Sequence, residues 1–166
     1  MRSDPRFVLD ANVFIEAYRR YYAFDICPGY WVALIAHHGG GRLCSIDHVR
    51  DELVGQADAL SQWVRQLPGS FFVGTGDPAV TAWFGRIIAW VQAQSQFLLA
   101  AKEGFAGGAD GWLIAYARAL GLVIATNEAP NPAIRRRVPI PHVCNAFGVD
   151  YIDTFDMLRA LGASFH

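Results

Sequence analysis

Val8-Leu9-Asp10-Ala11-Asn12-Val13-Phe14-Ile15 is the stretch that decides the fold. Together with Phe7 it opens on a short apolar run of β-favouring residues, the pattern of a strand buried on both faces. Asp10 ends that strand. The spacing beyond it predicts a helix from Val13 to about Tyr22, with Asn12 as its N-cap. A strand that delivers a carboxylate straight into a helix belongs to a class of folds that build their sites at strand ends.

Outward from this start, apolar strands and helices alternate. A helix is expected over Tyr30 to His38, stopped by Gly39-Gly40-Gly41, then a strand over Arg42 to Ile46. Asp47 opens a helix through about Leu53, and Asp58 to Gln66 forms another, closed by Pro68-Gly69. Phe71-Phe72-Val73 reads as a strand. Asp77-Pro78 begins helices that run from Val80 to about Ala101, with a break near Gln94-Ser95. After Gly107-Gly108 a helix runs from Asp110 to Leu120, Gly121 ends it, and Leu122 to Ala125 is a buried strand. The tail carries Pro130, Pro132, Pro139 and Pro141, then short helices over Val143 to Phe147 and Thr154 to Leu161. Such alternation implies an α/β fold, a three-layer α/β/α sandwich around a central, mostly parallel sheet. One domain is expected over residues 1–166, with residues 130–166 as a C-terminal extension packed on it.

Composition agrees with a folded domain. The chain has 166 residues, 53% of them hydrophobic and only 17% charged, the opposite of a disordered balance. The net charge of −1 excludes binding nucleic acid through global charge alone. Cys27, Cys44 and Cys144 are odd in number and widely spaced, which argues for reduced thiols and against a zinc site. The first residues turn acidic before any apolar run develops, and no apolar stretch approaches a membrane span. A cytoplasmic protein with no membrane partner is the expectation.

In open parallel sheets, ligands bind beyond the carboxyl ends of the strands. Asp10 follows the first strand, and Thr126-Asn127-Glu128 follow Ala125. If these two strands are neighbours, Asp10 and Glu128 approach one another. Asp110 stands at a helix start and Glu52 on the helix after the second strand, with Asp47 and Asp51 as competitors for its role. Converging carboxylates repel unless a cation lies between them, and an all-oxygen set suits Mg2+ or Mn2+. Taken singly, each of these acids reads more often as a cap, a turn residue or a solvated surface residue than as a ligand, and only the joint pattern lifts the metal site above those readings.

Jointly, Val8 to Ile15, Glu52-Leu53, Ala109-Asp110-Gly111-Trp112-Leu113-Ile114-Ala115-Tyr116-Ala117 and Ile124-Ala125-Thr126-Asn127-Glu128 resemble the PIN-domain nucleases. Glu128 stands where many relatives carry Asp. The resemblance implies a Mg2+/Mn2+-dependent endoribonuclease with Asp10, Glu52, Asp110 and Glu128 as metal ligands and catalytic residues. It also implies products with a 5′-phosphate and a 3′-hydroxyl, and Asn12 and Thr126 as orienting groups. The tail from Ile140 to Val149 looks like a PIN-like subfamily of unsettled function. The resemblance further implies a toxin of the VapC kind, hence an RNA substrate, a protein antitoxin and a homodimer.

Arg135-Arg136-Arg137 is the one dense basic run, since lysine occurs only at Lys102. These arginines, with Arg19 and Arg20 among Tyr18, Tyr21 and Tyr22, are the candidates for substrate binding, although a solvated loop explains the arginine run equally well and core or dimer packing is the more frequent role of the tyrosine-flanked pair. Rival readings remain: a catalytically inactive PIN-like module that binds RNA or protein, a phospho-aspartate domain or haloacid-type phosphatase, and a structure-specific DNA nuclease. The phosphatase wants a second acid where Asn12 stands.

Overall fold

The structure, a computed structural model, describes residues 6–165; the first residues read above and His166 lie outside them. Five strands form one sheet: β1 (Phe7–Leu9), β2 (Leu43–Ile46), β3 (Phe72–Val73), β4 (Val123–Ala125) and β5 (Tyr151–Ile152), in the order β3-β2-β1-β4-β5. Every pairing is parallel. The sheet is therefore wholly parallel among the described residues, beyond the mostly parallel one expected, and helices flank it as in a PIN-like sandwich.

β1 sits at the centre because all three of its residues are buried, Phe7, Val8 and Leu9 at 1% exposure or less. From β1 the chain moves outward to β2 and β3, then returns to place β4 on the other side of β1. The order reverses between β1 and β4, and a crevice opens above such a reversal. Leu9 pairs with Ala125 in register, so the residues after these two strands emerge side by side.

The helices are α1 (Ala11–Glu16), α2 (Pro28–Gly39), α3 (Asp47–Val54), α4 (Ala59–Arg65), α5 (Pro78–Ala93), α6 (Leu99–Gly107), α7 (Asp110–Leu120), α8 (Ile140–Phe147) and α9 (Thr154–Leu161). Two local expectations change. The first helix begins at Ala11, and its N-cap is Asp10 rather than Asn12, because the Asp10 carboxylate accepts from the Ala11 N–H at 2.7 Å. The same helix becomes a π-helical turn at Ala17–Tyr21, which lets Tyr22 stack on Tyr30 at 4.5 Å. The break near Gln94 is real: Gln94 is extended, and α5 and α6 are separate.

Residues 130–165 contribute to the sheet itself. They supply β5, the strand that covers β4, with α8 and α9 on either side of it in the chain. Two residues are too few to show a strand period, so β5 has no clear signal in the sequence.

Aromatic side chains fill the space beneath α1. Phe14 packs within 6.3 Å of the rings of Trp63, Phe71 and Phe72. The Arg86 and Arg118 guanidinium groups both lie over the Trp83 ring, at 4.7 and 4.4 Å from its centroid. Cys44 and Cys144 are buried, Cys27 is partly so, and all three are reduced. Within the described residues, no helix is long and apolar enough to cross a membrane.

Candidate functional site

Asp10 leaves β1 with its backbone N–H bonded to the Ala125 carbonyl at 2.9 Å, which continues the β1–β4 ladder past the strand ends. Its carboxylate is 5% exposed. One oxygen accepts from the Ala11 N–H and the other from the buried Thr126 hydroxyl at 2.9 Å. Each oxygen keeps a lone pair for a further partner.

Asp110 stands in the first turn of α7, and its carboxylate accepts no hydrogen bond from the described residues. Gly111 follows it, and a Cβ there would meet Phe84 at 3.0 Å and Phe105 at 3.2 Å. The glycine thus lets the start of α7 nest against α5 and α6. A ring stack fixes the same end: Trp112 lies parallel to Phe84 at 3.8 Å and to His48 of α3 at 5.0 Å. Glu52, one helical turn after His48, accepts from the Ala109 N–H at 3.3 Å. It therefore touches the backbone immediately before Asp110.

The three acids feel one another. Burial, then the Asp110 charge, push Asp10 up to about 8, and Glu52 adds to the rise against the hydrogen bonds from Thr126 and Ala11. Burial and Glu52 push Asp110 up to about 6, partly offset by the Arg137 guanidinium. Beneath them, burial and the charges of Asp10, Asp110 and Asp150 hold the Cys144 thiol neutral, up to about 12, so it cannot act as a thiolate nucleophile. Among the described residues no group of three His, Cys, Asp or Glu side chains is placed to hold a metal ion. Asp10, Asp110 and Glu52 are an all-oxygen set whose mutual repulsion Arg137 relieves only in part, the donor chemistry that a hard dication such as Mg2+ or Mn2+ would take.

The turn after β4 is held by amides. Asn12 Nδ2 donates to Thr126 Oγ1 at 3.4 Å, and its Oδ1 accepts from the Asn127 N–H at 3.1 Å. Asn127 in turn donates to Glu16 at 2.8 Å and accepts from both the N–H and the hydroxyl of Thr154. Asn127, Glu16 and Thr154 were not singled out from the sequence. The spacing of Asn12 and Glu16, four apart on one helix face, was the available signal.

Glu128 lies in the same turn, but its carboxylate is already engaged. One oxygen accepts from the Ile140 N–H at 2.8 Å, the first residue of α8, and the other pairs with Arg137. Its side chain is only 11% exposed. The basic run divides accordingly. Arg137 stands beside the acids, Arg135 donates to the Gln96 carbonyl at 3.4 Å, and Arg136 projects into solvent. Arg19 lines a cleft of about 300 Å³ with Tyr18, Glu52 and Leu53, whereas the exposed Arg20 does not line it.

The family described as "Domain of unknown function (DUF4411)" matches residues 7–165. No curated protein matches the chain in sequence. In fold, it is similar to a chain in the crystal structure of VapBC2 from Rickettsia felis bound to a DNA fragment from their promoter. The TM-score is 0.54 at 13% identity, over 89% of this chain and 97% of that one.

Proposed function

The chain belongs to the DUF4411 family, and on that premise we propose that it is a Mg2+- or Mn2+-dependent endoribonuclease, the toxin of a bacterial type II toxin–antitoxin pair. One observation supports the reading: Asp10 and Asp110, from distant parts of the sequence, lie at the reversal point of the sheet near enough for the Asp110 charge to push the Asp10 pKa up, with Glu52 adding to the rise of both. The likeness to a chain of the VapBC2 complex supports the toxin side of it. A protein antitoxin, a homodimer and a cytoplasmic location follow from that side.

Asp10, Asp110 and Glu52 would hold the metal. When bound, such an ion supplies Lewis-acid activation of water and of the scissile phosphodiester. Thr126 donates to Asp10 and fixes the direction in which its free lone pairs point. Asn12 and Asn127 brace the turn that carries Thr126. Glu52 ties α3 to the residue before Asp110, so that the two acids keep their spacing. Arg137 presents a cation beside Asp110, where a phosphate of the RNA would approach, and Arg19 does so beside Glu52.

The test is cleavage of an unpaired RNA by purified protein in magnesium and in EDTA. Asp10→Asn and Asp110→Asn keep shape and remove charge, and each should lower the rate at least a hundredfold, about 3 kcal/mol of barrier. Full activity in either variant sinks the assignment. A second reading, a PIN-like module that binds RNA or protein without cutting, draws support from the engaged state of Glu128. It predicts no specific divalent binding by calorimetry.

A further inference from the structure

We propose that Glu128 is a positioning residue rather than a metal ligand, and that with Arg137 it forms a clamp receiving a backbone phosphate of the RNA. The inference rests on the ribonuclease reading above and deepens it.

Both oxygens of the Glu128 carboxylate have partners that would be lost on turning towards a cation. The Ile140 N–H belongs to the first turn of α8, where backbone donors lack helical acceptors, and Glu128 satisfies one of them at 2.8 Å. Moving the carboxylate away would orphan that donor. The other oxygen pairs with a guanidinium nitrogen of Arg137.

Arg137 is a different kind of partner. Its side chain is 57% exposed while that of Glu128 is 11% exposed, so the pair has a fixed inner half and an open outer half. A guanidinium carries five donors, and one nitrogen committed to Glu128 leaves the remaining donors for a second oxyanion. The Glu128 N–H donates to Thr126 Oγ1 at 3.2 Å, and that hydroxyl donates to Asp10 at 2.9 Å, so the pair stands two hydrogen bonds from the acidic cluster. A phosphate bound there lies at the rim of the acidic cluster. The clamp keeps the arginine from folding fully onto Asp110, and it explains how an acidic site on a chain of net charge −1 accepts a polyanion.

Glu128→Gln keeps an oxygen for the Ile140 N–H and removes the charge that holds Arg137. Arg137→Gln removes the exposed half. Manganese binding by calorimetry and binding of a short fluorescent single-stranded RNA, with calcium in place of magnesium, are measured for both, for the double variant and for Asp10→Asn. Glu128→Gln should bind manganese within about twofold of the wild type, whereas Asp10→Asn should lose at least about tenfold. Each clamp variant should bind RNA about five- to tenfold more weakly, and the double variant no more weakly than Arg137→Gln alone, as coupled residues require. A manganese loss in Glu128→Gln equal to that in Asp10→Asn overturns the proposal, as do RNA losses that multiply in the double variant. If the wild type binds no manganese at all, the ribonuclease reading fails, and the clamp is judged on the RNA arm alone.

Discussion

Replacing Asp10 by Asn should change how stability depends on pH, in a direction opposite to most carboxylates. In the unfolded chain Asp10 titrates near 3.8, and in the fold burial and Asp110 lift it to about 8. Between those values the unfolded state has lost a proton that the folded state keeps. Stability contributed by the neutral form is complete below about pH 4 and is lost as pH rises towards about 8. One proton costs about 1.4 kcal/mol per pH unit across that window, so an ionised Asp10 weakens the metal-free fold by on the order of 5 kcal/mol. Urea unfolding in EDTA at ~pH 5 and ~pH 8 measures the loss. The wild type should weaken by several kcal/mol across this interval. Asp10→Asn, which keeps an acceptor but cannot ionise, should retain only the shallower slope due to Asp110. Magnesium at about a hundred times its Kd should restore about 2.7 kcal/mol to the wild type at the alkaline end and at least about 1.3 kcal/mol less to the variant. Parallel pH profiles for the two proteins, or equal stabilisation by magnesium, would refute the electrostatic account of the site.

Thr126→Val deletes the hydroxyl that favours ionised Asp10, so the pH at which magnesium binding is half complete should move upward; calorimetry across pH reports it. Asn127→Ala strips acceptors from Thr154 and a donor from Glu16, and should cost about 1–3 kcal/mol in urea unfolding. Gly111→Ala forces a methyl group against Phe84 and Phe105 and should cost about 1–3 kcal/mol, with magnesium affinity falling as the start of α7 shifts.

The sequence carried the central strands and the helix that bears Asp110, since those segments have unbroken apolar character and clear glycine or proline stops. It carried the adjacency of β1 and β4, but the acid expected beside Asp10 is Glu128, and the side chain that bonds Asp10 there is Thr126. It did not carry the state of Glu128. A carboxylate near a strand end looks the same whether it faces an ion or a helix N-terminus, and Ile140 lies twelve residues further on. Nor did it carry the role of Asn127, whose partners Glu16 and Thr154 come from opposite ends of the chain. The Asn12 cap was misplaced because Asp10 competes for the same job and stands nearer the strand.

The turn after β4 leans on residues made later in translation: Ile140 for Glu128, Arg137 for the same carboxylate, and Thr154 and β5 for Asn127 and β4. A nascent chain that has emerged only as far as Asn127 lacks every one of those supports. The edge of the sheet that carries Asp10 and Glu128 therefore matures only after the polypeptide has moved on past it, which sets the completion of the site apart from the synthesis of the strands that bear it.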